Sequence, residues 1–296
     1  MRTEAPNPDP NRPGFGALSW LGERGHLIQS GAASLALTRT RLKKVLPLLC
    51  TPPWALHGDL WGTLEEQRAI REQLECDSTL LGVVDLGPRA LGDLQPPSGW
   101  QEIVRHTRQI TWGESDELPV PKTRLKQERR FLRDGGTVRV HASTGWEDVL
   151  QLHQGARERK GLAAHARALE SLLRRIKSET WTFTSLASGS NGAIVASGGF
   201  VLLPDGTCVY AFGGQKRSPE SGRASVAMIL AAMRHAQELG CTRFDFGGSQ
   251  DLGVDQFYAE FGASVVPMKR WVKAPWWFAW CLPRTWRAWT QPSAQL

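Results

Sequence analysis

The most constraining feature lies in the second half of the chain, where three β-type segments at 181–187, 193–203 and 207–213 follow one another across two short turns. The turns, Ser188-Gly189-Ser190-Asn191-Gly192 and Pro204-Asp205-Gly206, are built from residues that tolerate positive φ, so the three strands are expected as antiparallel neighbours. A helix-period segment follows at 222–239, closed by Gly240, and then a strand at 242–246. A strand, helix, strand sequence joins parallel strands by a right-handed crossover. Counting a strand at 137–142 as the first of this half, strands four and five are therefore expected side by side and parallel.

The surrounding segments extend the pattern. Thr144 and Glu147 have the spacing of a capping box opening a helix to about residue 158, a second helix fits 163–177, and a short helix at 255–261 precedes a last strand at 263–272. In the first half, 34–49 reads as one or two strands closed by Pro52-Pro53, and Thr63 with Glu66 caps a helix over 64–75. A strand at 80–86 precedes a Pro- and Gly-rich loop over 87–100. Residues 122–133 carry six basic side chains and one acidic, which reads as an exposed linker helix or as a basic docking face.

Charge narrows the partner classes. The chain carries +7, yet residues 1–135 are nearly balanced, and from Lys269 to the end there are five cations and no Asp or Glu. A nearly neutral body disfavours extensive nucleic-acid binding. The five cysteines (Cys50, Cys76, Cys208, Cys241, Cys281) are far apart and form no CxxC pair, so neither a disulfide framework nor a metal site is expected. No apolar run approaches the length of a bilayer span. A cytoplasmic location is the expectation, with residues 1–14 a flexible leader.

The segments Ala196-Ser197-Gly198-Gly199-Phe200, Tyr210-Ala211-Phe212-Gly213-Gly214 and Phe244-Asp245-Phe246-Gly247-Gly248-Ser249, followed by Phe257-Tyr258 and Phe261-Gly262-Ala263, resemble the Fem-like branch of the GNAT acyltransferase superfamily. The resemblance covers about 122–272. It implies an α/β GNAT fold, a mixed and mostly antiparallel sheet with a V-shaped splay between strands four and five. It also suggests two tandem GNAT-like lobes, a degenerate one at 15–121, carrying His57-Gly58-Asp59-Leu60, and an acyltransferase domain at 122–274, with a Trp-rich basic tail over 275–296.

The same resemblance implies an N-acyltransferase that moves an acyl group from an activated thioester, acyl-CoA or acetyl-CoA, to an amine of a cell-envelope or polysaccharide precursor. An aminoacyl-tRNA-dependent peptidyltransferase and a non-catalytic scaffold docked on the membrane are the alternatives. No metal is expected. Backbone N–H groups bared at a splay can hold a developing oxyanion, and Gly213 is the expected donor, with Gly214 giving room. The loop and helix entry at Gln215, Lys216, Arg217, Gly222, Arg223, Ala224 and Ser225 would take the donor's phosphates. The family signature asks for Gln or Arg, two residues, Gly, one residue, then Gly or Ala. With Gly222 and Ala224 in the later places its first position falls on Pro219, so coenzyme A, a carrier protein and aminoacyl-tRNA all stay open as donors.

Asp245 reads either as the base for the acceptor amine or as the cap of the Gly247-Gly248 turn. Tyr258, one of two tyrosines, is implied as the acid for the leaving thiolate, or packs in the core beside Phe257. Ser249, Lys160 and Phe257 complete the expected acceptor contacts. Six of the thirteen tryptophans lie at 271–289 among the five late cations, which fits an anionic inner-membrane surface, packing on the first lobe, or stacking on RNA.

Overall fold

The computed structural model describes residues 13–90, 92–112, 117–162, 165–248 and 251–291. In chain order the strands are β1 (Gly25–Ser30), β2 (Ala33–Leu42), β3 (Leu46–Cys50), β4 (Leu81–Leu86), β5 (Gln101–Thr111), β6 (Thr137–His141), β7 (Thr182–Ser188), β8 (Ile194–Leu202), β9 (Thr207–Gln215), β10 (Arg243–Asp245) and β11 (Ser264–Lys273). The helices are α1 (Leu18–Leu21), α2 (Leu64–Glu75), α3 (Lys122–Arg133), α4 (Trp146–Arg159), α5 (Ala166–Ile176), α6 (Ser221–Glu238), α7 (Leu252–Ala259), α8 (Phe278–Cys281) and α9 (Pro283–Thr290). Two compact units result, one from 1–107, 248–252 and 265–296, the other from 108–247 and 253–264.

In the second unit β7, β8 and β9 are antiparallel neighbours, with β6 antiparallel to β7. Helix α6 crosses over, and β10 returns parallel to β9, as the turn chemistry and crossover rule anticipate. The other edge of β10 is taken by the last residues of β5, antiparallel, with Phe244 opposite Ile110. The fold is thus a mixed, mostly antiparallel GNAT-type sheet. Helix α6 is apolar nearly all round, and Val226, Met228, Ile229, Leu230 and Met233 are buried with Phe183, Phe200, Phe244 and Phe261 in one core.

The first unit repeats this plan. Strands β1, β2 and β3 are successively antiparallel, α2 crosses over, and β4 returns parallel to β3, while β11 adds antiparallel to β4. Helix α2 starts where expected, because the Thr63 hydroxyl accepts the Glu66 N–H at 3.3 Å while the Glu66 carboxylate accepts the Thr63 N–H at 2.8 Å. Beyond the three-residue β3 and β4 pairing, however, the sheet does not open. Gly58 donates its N–H to the Asp85 carbonyl at 2.8 Å and accepts the Ala36 N–H at 2.7 Å, so the 57–59 segment is stitched between β2 and β4. Buried His57 backs it, packed edge-on to Phe15. The His57-Gly58-Asp59-Leu60 motif is a plug.

Several expectations need correction. Helix α4 has no capping box: its N-cap is Gly145 at φ 83°, and the Thr144 carbonyl instead accepts the Thr184 hydroxyl at 2.7 Å. A side chain at Gly145 would meet Thr184 Oγ1 at 2.8 Å and Leu186 Cδ1 at 2.9 Å, so the N-cap position itself takes glycine. Helix α3 is no solvated linker. Its stripe of Arg124, Glu128 and Phe131 is buried, Glu128 takes both Arg234 nitrogens at 2.5 and 2.7 Å, and Arg124 pairs with Glu260 and lies over the Phe261 ring at 4.8 Å. Strands β1 and β5 and helices α8 and α9 lie outside the sequence reading, because their apolar residues follow neither clean period. Most of the leader lies outside the described residues.

Candidate active site

Strands β9 and β10 pair over only three residues, Thr207, Cys208 and Val209 against Arg243, Phe244 and Asp245. Past that point β10 keeps to β5, with the Phe246 N–H donating to the Arg108 carbonyl at 2.9 Å, while β9 runs on beside β8 to Gln215. The ribbons part there. A register shift near Phe200 leaves Ala211 as the extra residue of a bulge on β9, and bulges bend a strand and disturb its ladder. Nothing in the local sequence announces that bulge.

A cavity of about 990 Å³ opens at the parting. Its apolar part is Tyr210, Ile229, Val254, Phe257 and Tyr258, and its polar rim is Arg159, Lys160 and the run from Gly213 to Ser218, with Ser221, Gly222 and Ser225 at the start of α6. The structure therefore brings together Gly213, Gly214, Gln215, Lys216, Arg217, Gly222, Ser225, Lys160, Phe257 and Tyr258. Arg159, beside Lys160 at the end of α4, joins them, and Tyr210 is an addition not singled out as a ligand contact. The two tyrosines meet there, ring centroids 6.4 Å apart. Burial pushes the Tyr210 phenol well above its ordinary 10, so it keeps its proton.

Other expected residues are placed elsewhere. Asp245 is buried outside the cavity wall, accepting the Gly247 N–H at 2.7 Å and the Gln109 side-chain amide at 2.7 Å. It caps the turn at Gly247, whose φ of 74° explains that glycine. Arg223 faces Asp134 at 3.5 Å, and neither it nor Ala224 lines the cavity. Ser249 lies outside the described residues.

Gly213 and Gly214 line the cavity, but their missing side chains make room for protein rather than ligand. A methyl on Gly214 would strike the Leu152 carbonyl of α4, and one on Gly213 would strike the Tyr210 hydroxyl. His153 Nδ1 lies 3.2 Å from the Gly213 carbonyl, to which it donates in one tautomer, and 3.4 Å from the Gly213 N–H, so the hydrogen expected to meet an oxyanion has an imidazole beside it. Burial holds that imidazole below its ordinary 6.5, in its neutral form.

The cationic end of the cavity is ordered by short contacts. Arg159 donates to the Gln215 carbonyl at 2.7 Å, the Ser225 hydroxyl to the Gln215 side chain at 2.5 Å, and the Ser218 N–H to the Ser221 hydroxyl at 3.0 Å. A side chain at Gly222 would meet open space. First-turn N–H groups of a helix have no acceptor within it, so the start of α6 suits an anion. No Asp, Glu or Cys lines the cavity among the described residues. The buried Cys208 thiol is itself pushed far up by desolvation.

Fold and cavity together are those of a GNAT-type domain. Residues 121–258 match the family model described as the acetyltransferase (GNAT) domain. Among solved structures the chain is similar to FemX, at 12% identity over 88% of this chain and 93% of that one, with a TM-score of 0.57. It is also similar to L-PGS from Bacillus licheniformis, at 14% identity over 94% and 91%, TM-score 0.56, and to a tandem GNAT protein from the clavulanic acid biosynthesis pathway, at 13% over 87% and 85%, TM-score 0.50. No curated protein matches the sequence. Residues 121–258 thus carry a GNAT acetyltransferase domain, and the fold is similar to those of FemX and the tandem GNAT protein.

Proposed function

We propose that the protein transfers an acyl group from an activated donor, seated where β9 leaves β10, to an amine by direct attack. The observation that carries this reading is the cavity itself, apolar at Ile229, Val254 and Phe257 and cationic at Arg159, Lys160, Lys216 and Arg217. Such a pairing suits an acyl chain joined to a phosphorylated carrier, with acyl-CoA the first donor to test.

The amine nitrogen attacks the acyl carbonyl carbon, a C–N bond forms, and the C–S bond to the carrier breaks. Tyr258 protonates the leaving sulfur, and Tyr210, kept protonated, donates to the carbonyl oxygen as charge gathers there. With no carboxylate in the described wall, the attacking amine arrives neutral and gives one proton to water as the C–N bond forms, and water returns a proton to the Tyr258 phenolate. The absence of a cysteine from that wall supports a route without a covalent enzyme intermediate. The acceptor we favour is an amine of a cell-envelope or polysaccharide precursor, supported only by the likeness to FemX.

A second donor, aminoacyl-tRNA, is favoured by one feature. Lys122, Lys126, Arg129, Arg130 and Arg133 all lie exposed on α3, a row of cations suited to a phosphate backbone.

Calorimetry with acetyl-CoA, a longer acyl-CoA and an aminoacyl-tRNA separates the two. Thioester binding weakened about a hundredfold or more by Lys216→Ala with Arg217→Ala supports the first reading, since each of the two lost phosphate contacts is worth a charge-assisted hydrogen bond. Binding of aminoacyl-tRNA alone, lost in Arg129→Ala with Arg133→Ala, replaces it with the second.

A further inference from the structure

The segment after β11 divides its aromatic residues between inside and outside. Phe278 is fully buried, stacks on Trp289 with centroids 4.8 Å apart, and meets Trp286 edge-on at 6.3 Å. Arg270 of β11 donates to the Ala288 carbonyl at 3.4 Å, tying α9 down. Much of the tail thus packs on itself, but Trp276 and Trp280 are 83% and 81% exposed.

These two indoles are four residues apart on one helical turn, marked by Phe278 N–H to Pro275, Cys281 N–H to Trp277 and Leu282 N–H to Phe278 bonds. A four-residue spacing is the one that sets two side chains on one side of a helical turn, whereas Phe278, two residues from each, is buried. Tryptophan is highly buried on average, so adjacent bare indoles ask for a partner. The charge of the segment says which kind. Arg284 and Arg287 are exposed on α9, and residues 269–296 contain no Asp or Glu. Indoles favour the headgroup layer of a bilayer, and unopposed cations favour anionic headgroups.

We propose that Trp276 and Trp280, with Arg284 and Arg287, form a docking face for an anionic lipid bilayer. The contact is peripheral: among the described residues no helix is long and apolar enough to cross a membrane. It stands apart from the choice of acyl donor, because it uses no residue of the cavity.

Sedimentation of the full chain with vesicles of phosphatidylcholine alone, and of phosphatidylcholine with phosphatidylglycerol, tests it without any acyl donor present. Expected are binding to the phosphatidylglycerol vesicles, weakening with added salt, and a loss of about tenfold or more in Trp276→Ser with Trp280→Ser. Circular dichroism and melting temperature check that this variant is folded, and Arg284→Gln with Arg287→Gln is expected to lose the salt-dependent part alone. Failure of the parent to bind, or equal binding by the folded Trp variant, overturns the proposal. So does a parent dimer that becomes monomeric in the Trp variant without vesicle binding, which assigns the face to a second copy. Binding of a single-stranded RNA that the Trp variant loses, with no vesicle binding, assigns it to nucleic acid.

Discussion

The hydroxyl of Tyr210 rests against the α-carbon of Gly213, three residues along the same strand, where any side chain would overlap it. The bulge at Ala211 folds β9 enough for the two to meet, and both line the cavity. Gly213→Ala is therefore expected to destabilise by about 1–3 kcal/mol, as overpacking does. Adding Tyr210→Phe removes the clashing oxygen, so the double variant should regain much of that loss in chemical denaturation while staying slow in turnover. Equal losses with and without the hydroxyl would show that the phenol is not the obstacle.

Helix α7 carries Tyr258 and is anchored by a buried ion pair. Arg108 donates to Asp255 through Nε at 3.0 Å and Nη2 at 2.7 Å, and to the Ala263 carbonyl at 3.3 Å. Removing one partner leaves a buried charge, so Asp255→Ala is expected to cost about 3–5 kcal/mol. Replacing both, as Arg108→Met with Asp255→Leu, should be much milder, and the melting temperatures compare them.

Tyr258→Phe keeps the ring contacts, 4.9 Å between centroids with Phe246, and removes only the hydroxyl. The proposed acid role predicts a fall of about 10²–10⁴-fold in kcat with thioester affinity within a factor of a few. An unchanged kcat would return Tyr258 to core packing.

His153 gives a pH dependence. Its imidazole is held below 6.5 in the folded chain, mainly by burial, so the unfolded chain takes up a proton first as pH falls. This contribution to stability is present at and above neutral pH, declines as pH drops below about 6.5, and levels off below the folded-state value. Urea titrations between pH 5 and pH 8 should show a shallower slope in His153→Asn than in the parent.

In the first unit, Gly58→Ala would bring a methyl to 2.6 Å from Leu35 Cδ1 and 2.8 Å from the Ala36 carbonyl. The carbonyl cannot swing aside without breaking its sheet, so a loss of about 1–3 kcal/mol is expected by urea denaturation.

Local patterns were legible wherever a residue acts on its near neighbours. The hairpin turns at 188–192 and 204–206, the capping box of Thr63 and Glu66, and the parallel return of β10 after α6 all follow from chemistry spanning a few residues. The cavity residues Lys216, Arg217 and Gly222 were legible for the same reason, since a strand end followed by a helix start is a local signature.

Long-range pairings were decided by the tertiary structure. Whether Asp245 meets an amine or a turn depended on Gln109, and whether Arg223 reaches the cavity depended on Asp134. His153 came within reach of Gly213 only because α4 lies close on β9. The amino-acid order settled which strands must be neighbours, because turns and crossovers act within a short stretch of chain. Where those strands part, which cleft stays open and which is stitched shut by Gly58 were settled by contacts between residues far apart in sequence, where no local period or motif records the outcome.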